Sequence, residues 1–150
     1  MPVPIVTIDG PSGSGKGTIA RAVADHAGWH LLDSGALYRL VALAGLERGI
    51  DEQDRAAHSM IAREMQVGFG ARPDGAELVT LGGRDVTNDL RSEAAGAGAS
   101  RVAAWPEVRS ALLERQEAFA REPGLVADGR DMGTIVFPYA DLYGDRKSVV

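Results

Sequence analysis

The stretch IVTIDGPSGSGKGT, residues 5–18, decides the fold. It opens with Ile5, Val6, Thr7 and Ile8, all β-branched, and a short unbroken run of this kind suits a strand buried in a parallel sheet. Four glycines follow, Gly10, Gly13, Gly15 and Gly17, and they surround Lys16. Phosphate oxygens are held well by several backbone N–H groups that converge on one point. Glycines clear side chains from that approach and permit positive φ. The helix that follows turns its positive end toward the same anion, and Lys16 adds a point charge where β- and γ-phosphates would lie. Gly10 to Lys16 fits G-x-x-x-x-G-K between a strand and a helix, the context in which this loop binds nucleoside triphosphates. One departure stands out: the common motif has Ser or Thr directly after the lysine, whereas here Gly17 intervenes and Thr18 supplies the hydroxyl.

Outward from the loop, TIARAVADHAG (18–28) puts Ile19, Ala22, Val23 and His26 at helical spacing, with Gly28 as the stop. WHLLD (29–33) reads as a second strand, and SGALYRLVALAGLERG (34–49) as a second helix with Ser34 as a possible N-cap. Strand, loop, helix, strand, helix implies a parallel α/β sheet. Residues 51–65 read as helical. Residues 67–87 carry PDG and GG turn signals between short apolar runs, as in a small antiparallel insertion. Residues 88–104 read as a helix weakened by Gly96 and Gly98. Pro106 suits the first position of the next helix, with Val108, Leu112 and Phe119 as its buried stripe. EPG (122–124) ends it, and LVAD (125–128) is a third strand.

Composition narrows the class. The 150 residues carry 45% apolar and 25% charged side chains and a net charge of −5. That acidity argues against non-specific nucleic-acid binding, which draws on Lys and Arg at phosphates. There is no cysteine, hence no disulfide framework or thiolate metal site. No apolar run approaches the roughly 20 residues of a membrane span, and the N-terminus has no signal-peptide pattern, so a cytoplasmic protein without a membrane partner is expected. His26, His30 and His58 show no ligand spacing and read as structural or exposed.

The phrasing GxxGxGKGT resembles the nucleoside monophosphate kinases. LLDSGALYR (31–39), SRVAAWPEVR (100–109) and ADGRDMGTIVFP (127–138) resemble, in order and spacing, segments of the bacterial cytidylate kinases. The likeness covers nearly all of residues 3–138. It implies an α/β fold of the P-loop nucleoside monophosphate kinase type: a parallel sheet flanked by helices, with a small mixed insertion at about residues 63–104 that binds the monophosphate. Residues 1–138 would then be a partial kinase domain, with terminal strands and the lid missing, and 139–150 an atypical tail.

The resemblance also implies roles. ATP would be bound by Gly10, Pro11, Ser12, Gly13, Ser14, Gly15, Lys16, Gly17 and Thr18. The acceptor CMP or dCMP would be bound by Ser34, Tyr38, Arg39, Ser100, Arg109, Arg130 and Asp131. Ser34 would meet the sugar, and Arg39 and Arg130 the phosphate, because a planar guanidinium matches phosphate oxygens in a fork. Ser100, Arg109 and Asp131 would read the cytosine edge, which offers an amino donor beside N3 and O2 acceptors. Lys16, Arg39 and Arg130 would be catalytic, and Mg²⁺, arriving with ATP, would be held near Thr18 and Asp128. Asp33 ends the second strand in a similar place. Read without that pattern, Asp131 is a partner for Arg130, Arg109 a solvated charge and Tyr38 a packing residue. A monomer is expected. Rival functions are a P-loop kinase acting on AMP, UMP or shikimate, a nucleotide-binding module without catalysis, and a fragment with no stable fold.

The likeness stops near Ala140. YADLYGDRKSVV (139–150) shows no strand run and no arginine-rich lid. Its last six residues, DRKSVV, can be encoded by GATCGGAAGAGCGTCGTG, the start of a common sequencing adapter, so residues 145–150 are expected to be foreign to the natural gene. On this reading IVTI becomes an unpaired sheet edge, and the chain has little or no activity of its own.

Overall fold

A computed structural model describes residues 3–9, 15–129 and 142–145. The chain divides into two compact units, one of Met1–Ser34, Phe69–Glu77 and Gln116–Val150, the other of Gly35–Gly68 and Leu78–Arg115.

The first unit is built on β1 (Ile5–Asp9), α1 (Lys16–Ala27), β2 (His30–Asp33), β6 (Leu125–Gly129) and β7 (Leu142–Asp145). Its four strands are parallel in the order β2-β6-β1-β7. The crossover through α1 leads from β1 to β2, yet β6 lies between them, so strands remote in sequence meet at their carboxyl ends. Ile8 and Asp33 both stand in register with Asp128, and Asp9 with Gly129. All five residues of β6 are buried, as an interior strand requires.

Two sequence expectations change here. Ile19 and Val23 do not face the sheet; they are 37% and 36% exposed. The buried face of α1 is Ala20 and Ala24, which pack with Ile8 and Val126. Small side chains let the helix lie close on the sheet, and counting large apolar residues misses such a face. Second, β1 is not an edge: Val6–Asp9 pair with Leu142–Asp145 on the side away from β6. Four residues of the tail, with little strand pattern of their own, take their conformation from the ladder that β1 offers. Asp145, the first of the six residues expected to be foreign, stands in register with Asp9.

The elements between β2 and β6 lie mostly in the second unit, which is mainly helical; Ser34, residues 69–77 and residues 116–124 belong to the first. α2 (Ser34–Glu47) starts directly after β2, so Ser34 is its first residue rather than its cap. α3 (Arg55–Glu64) begins later than the sequence suggests, because the Asp54 carboxylate accepts from the Ala57 N–H at 3.0 Å and sets the N-cap. β3 (Val67–Ala71), β4 (Glu77–Leu81) and β5 (Arg84–Asp85) form a separate three-stranded sheet in that order, with β4 and β5 antiparallel. A 3₁₀ turn at Asp89–Arg91 precedes α4 (Glu93–Ala103), which Ser92 caps by accepting from the Ala95 N–H at 3.1 Å. α5 (Pro106–Glu117) starts at proline as expected and buries Val108 and Leu112; Phe119 lies beyond its end, its ring 5.9 Å from that of Phe69.

Leu37, Leu40, Val41, Ile61, Val102 and Leu112 are among the residues forming the core of the second unit. His58 is buried there, edge-on to Trp105 with ring centroids 5.5 Å apart, and its Nδ1 donates to the Asp54 carbonyl at 2.7 Å. His30 is half-buried and His26 exposed. Among the described residues no helix is long and apolar enough to cross a membrane.

Candidate active site

Only part of the loop's consequence is described, and it begins where the helix begins. Gly15, at φ 85°, is the N-cap of α1, and among the described residues no side chain caps that end. A residue with a Cβ would be strained there; glycine is not, so the chain can turn from loop into helix with its first N–H groups uncapped by side chains. Gly10, Pro11, Ser12, Gly13 and Ser14 lie outside the described residues.

Lys16 is the first residue of α1, and its Nζ donates to Asp128 Oδ1 at 2.6 Å. The two side chains are 15% and 4% exposed. Asp128 is delivered by β6, with Asp33 in register on β2. Burial pushes the Asp128 carboxyl above its ordinary pKa, and the Asp33 charge adds to that. The Lys16 hydrogen bond and the charges of Lys16 and Arg21 oppose it without overcoming it.

Arg21, one turn into α1, donates from Nη2 to Thr18 Oγ1 at 3.5 Å and from Nε to the Gly75 carbonyl at 3.4 Å. Gly17 faces the same group: a Cβ there would sit 3.5 Å from Arg21 Nη1 and 3.5 Å from Asp128 Oδ2. The departure from the common motif therefore sets a residue without a side chain beside both a guanidinium and a carboxylate. Among the described residues no three His, Cys, Asp or Glu side chains cluster as a metal cage. Mg²⁺ bound with a nucleotide takes one or two carboxylates and completes its shell with phosphate and water. Asp128, with Asp33 in register beside it and the exposed Thr18 hydroxyl in the first turn of α1, fits that donor set.

The other residues singled out in the sequence fall as follows. Ser34 is half-buried at the junction of β2 and α2. Arg39, on α2, donates from Nη1 to the Leu90 carbonyl at 2.6 Å, and its guanidinium lies over Gly96, 3.5 Å from where a Cβ would be. A Cβ at Gly96 would stand in ordinary contact with that guanidinium, so the spacing does not by itself require glycine there. Tyr38 is half-buried; burial raises its hydroxyl pKa, and the nearby Arg109 charge opposes the rise. Arg109 and Ser100 are exposed. Arg130 and Asp131 lie outside the described residues.

Sequence reasoning did not foresee the Lys16–Asp128 pair, the part played by Arg21 or the Leu90 carbonyl that anchors Arg39. Arg21 had a readable signal, a cation three residues after Thr18 on one helix face. The other two depend on which segments become neighbours, and nothing local encodes that.

A strand running into a glycine-opened helix, whose first lysine meets an aspartate at the end of an adjacent parallel strand, defines a P-loop α/β protein. The chain belongs to the cytidylate kinase family, whose model, described as cytidylate kinase, matches residues 6–143. It is 58% identical to the cytidylate kinase of Stutzerimonas stutzeri (strain A1501) over 142 residues, covering 94% of this chain and 62% of that protein. It is 58% identical to that of Bordetella bronchiseptica (strain ATCC BAA-588 / NCTC 13252 / RB50) over 139 residues, covering 93% and 60%. It is 54% identical to that of Shewanella denitrificans (strain OS217 / ATCC BAA-1090 / DSM 15013) over 138 residues, covering 91% and 61%. The chain thus spans less than two thirds of the length of these relatives.

Proposed function

We propose that the whole protein transfers the γ-phosphate of ATP to CMP or dCMP, giving CDP or dCDP, in the cytoplasm. The observation that carries the donor half is Lys16 at the head of α1, paired with the strand-end Asp128 at 2.6 Å. Family membership and the names of the relatives support cytidine monophosphates as acceptors.

In this mechanism an oxygen of the acceptor's phosphate attacks the γ-phosphorus in line. The bond from that phosphorus to the β,γ-bridging oxygen breaks, and ADP leaves with the electron pair. No general base is needed, because the attacking oxygen is already anionic at neutral pH. Catalysis is positioning and charge neutralisation. The loop amides and Lys16 hold the donor phosphates. Arg39, its guanidinium steadied by the Leu90 carbonyl, acts with Arg130 on the acceptor phosphate. Ser34 holds the sugar, and Ser100, Arg109 and Asp131 select cytosine, since a uracil edge would leave the carboxylate unpaired. Asp128 and Thr18 would hold Mg²⁺ together with the triphosphate, and the ion when bound would supply further charge neutralisation.

A coupled assay of ADP release by the full-length protein from the same locus tests this. CMP and dCMP should lead a panel that includes AMP, UMP and shikimate, and Lys16→Ala should lower kcat/KM by about 100-fold or more. Preference for another acceptor would overturn the substrate assignment, and ATP binding without transfer would favour a non-catalytic nucleotide-binding role. The 150-residue chain itself should show little or no turnover.

A further inference from the structure

Lys16 cannot serve two anions at once. Its Nζ lies 2.6 Å from Asp128 Oδ1, within a pair whose side chains are 15% and 4% exposed. To reach a phosphate it has to leave a carboxylate with almost no access to water. That carboxylate also stands in register with a second one, Asp33, on the neighbouring strand. Splitting a buried ion pair leaves an uncompensated buried charge, which is strongly unfavourable. Arg21 is the nearby cation, but its guanidinium donates to the Thr18 hydroxyl and the Gly75 carbonyl. Gly17 borders the same group: a Cβ there would stand in ordinary contact with Asp128 Oδ2 and Arg21 Nη1, 3.5 Å from each.

We propose that Asp128 is a positioning residue that keeps Lys16 in reserve while no nucleotide is bound, and releases it only in exchange for a divalent cation that arrives with the triphosphate. This rests on the ATP-binding reading above and adds a rule to it. Metal-free ATP is a poor ligand because it can recruit Lys16 only by stranding Asp128. The metal complex is a good one because Asp128 changes partner as Lys16 does. Replacing Asp128 by its neutral isostere removes the hold on Lys16 and the need for the cation together.

Calorimetric titration of the 150-residue chain with ATP, in EDTA and in Mg²⁺, for wild type and Asp128→Asn, tests the exchange. Wild type should gain about tenfold or more in affinity from Mg²⁺, and Asp128→Asn should bind metal-free ATP about tenfold more tightly than wild type while losing most of the Mg²⁺ dependence. A second reading comes from acetylation by an activated ester without nucleotide. The chain has only two lysines, Lys16 and Lys147, so the modified site is read directly from peptide mass. Lys16 should react several-fold faster in Asp128→Asn than in wild type.

If ATP binds and Asp128→Asn binds it no more tightly, the exchange is wrong and the ATP-binding reading stands. Tighter binding with unchanged Lys16 reactivity means that Asp128 merely repels phosphate, and that also overturns it. Wild type that binds ATP under neither condition removes the ATP-binding reading, and the exchange with it. Should Asp128→Asn melt without a cooperative transition, wild type decides alone: Lys16 reacting as fast as Nα-acetyl-lysine amide overturns the hold, and slower reaction supports it.

Discussion

Asp128 gathers opposing influences on one carboxyl, and the outcome has a sign that can be measured. Burial raises its pKa above the ordinary aspartate value, with Lys16 pulling the other way. At a pH below the unfolded value, about 3.9, both states hold the proton. As pH rises the unfolded chain releases it first, so the stability contributed by this group is lost as pH climbs through the folded pKa. Melting temperatures between pH 4 and 7 should therefore fall less steeply for Asp128→Asn than for wild type; a steeper fall would mean that the pairing with Lys16 outweighs burial. A glycine makes a second residue-scale case. A Cβ at Gly98 would lie 2.7 Å from the Ala42 Cβ, closer than two carbons approach. Gly98→Ala should gain about 1 kcal/mol of helix propensity, yet overpacking costs about 1–3 kcal/mol, so urea melts should show net destabilisation. At this scale the sequence announces Lys16 through its motif. It announces Asp128 only as a strand-end carboxylate, because the pairing of the two depends on β6 lying beside β1.

Elements were more legible than their neighbours. The β-branched run at 5–8, the glycine stop at Gly28, proline at the start of α5 and the turn signals between residues 67 and 87 each have a local physical cause, and each corresponds to an observed boundary or turn. What local pattern does not contain is strand order, which places β6 between β1 and β2, or the face of α1 that uses alanines instead of larger residues. Helix ends can likewise be finished by distant residues. Arg115 on α5 donates to the Arg63 carbonyl at 2.7 Å and also to the Met65 carbonyl, closing the end of α3. Burial lowers its pKa from the ordinary arginine value. Arg115→Leu keeps the apolar stem and leaves both carbonyls without that donor. A loss of about 1–3 kcal/mol is expected in denaturant melts, with exchange protection falling first at the end of α3.

For the whole molecule, the decisive addition is the pairing of β1 with residues 142–145, which the tail's composition does not advertise. Deleting residues 139–150 should expose an apolar, untwisted-off edge on β1. Light scattering at a fixed concentration should then show the shortened chain aggregating at a lower temperature than the 150-residue chain; equal behaviour would mean that β7 adds nothing to solubility. The ladder also carries a consequence for synthesis. Ile5 awaits Leu125, and Val6 awaits Leu142, before either side of the first strand is satisfied. At a ribosomal pace of about 5–20 residues per second, that strand emerges on the order of ten seconds ahead of its partners. Throughout that interval the nascent chain holds a bare β-branched segment at its leading end, which is the kind of sequence a holding chaperone grips.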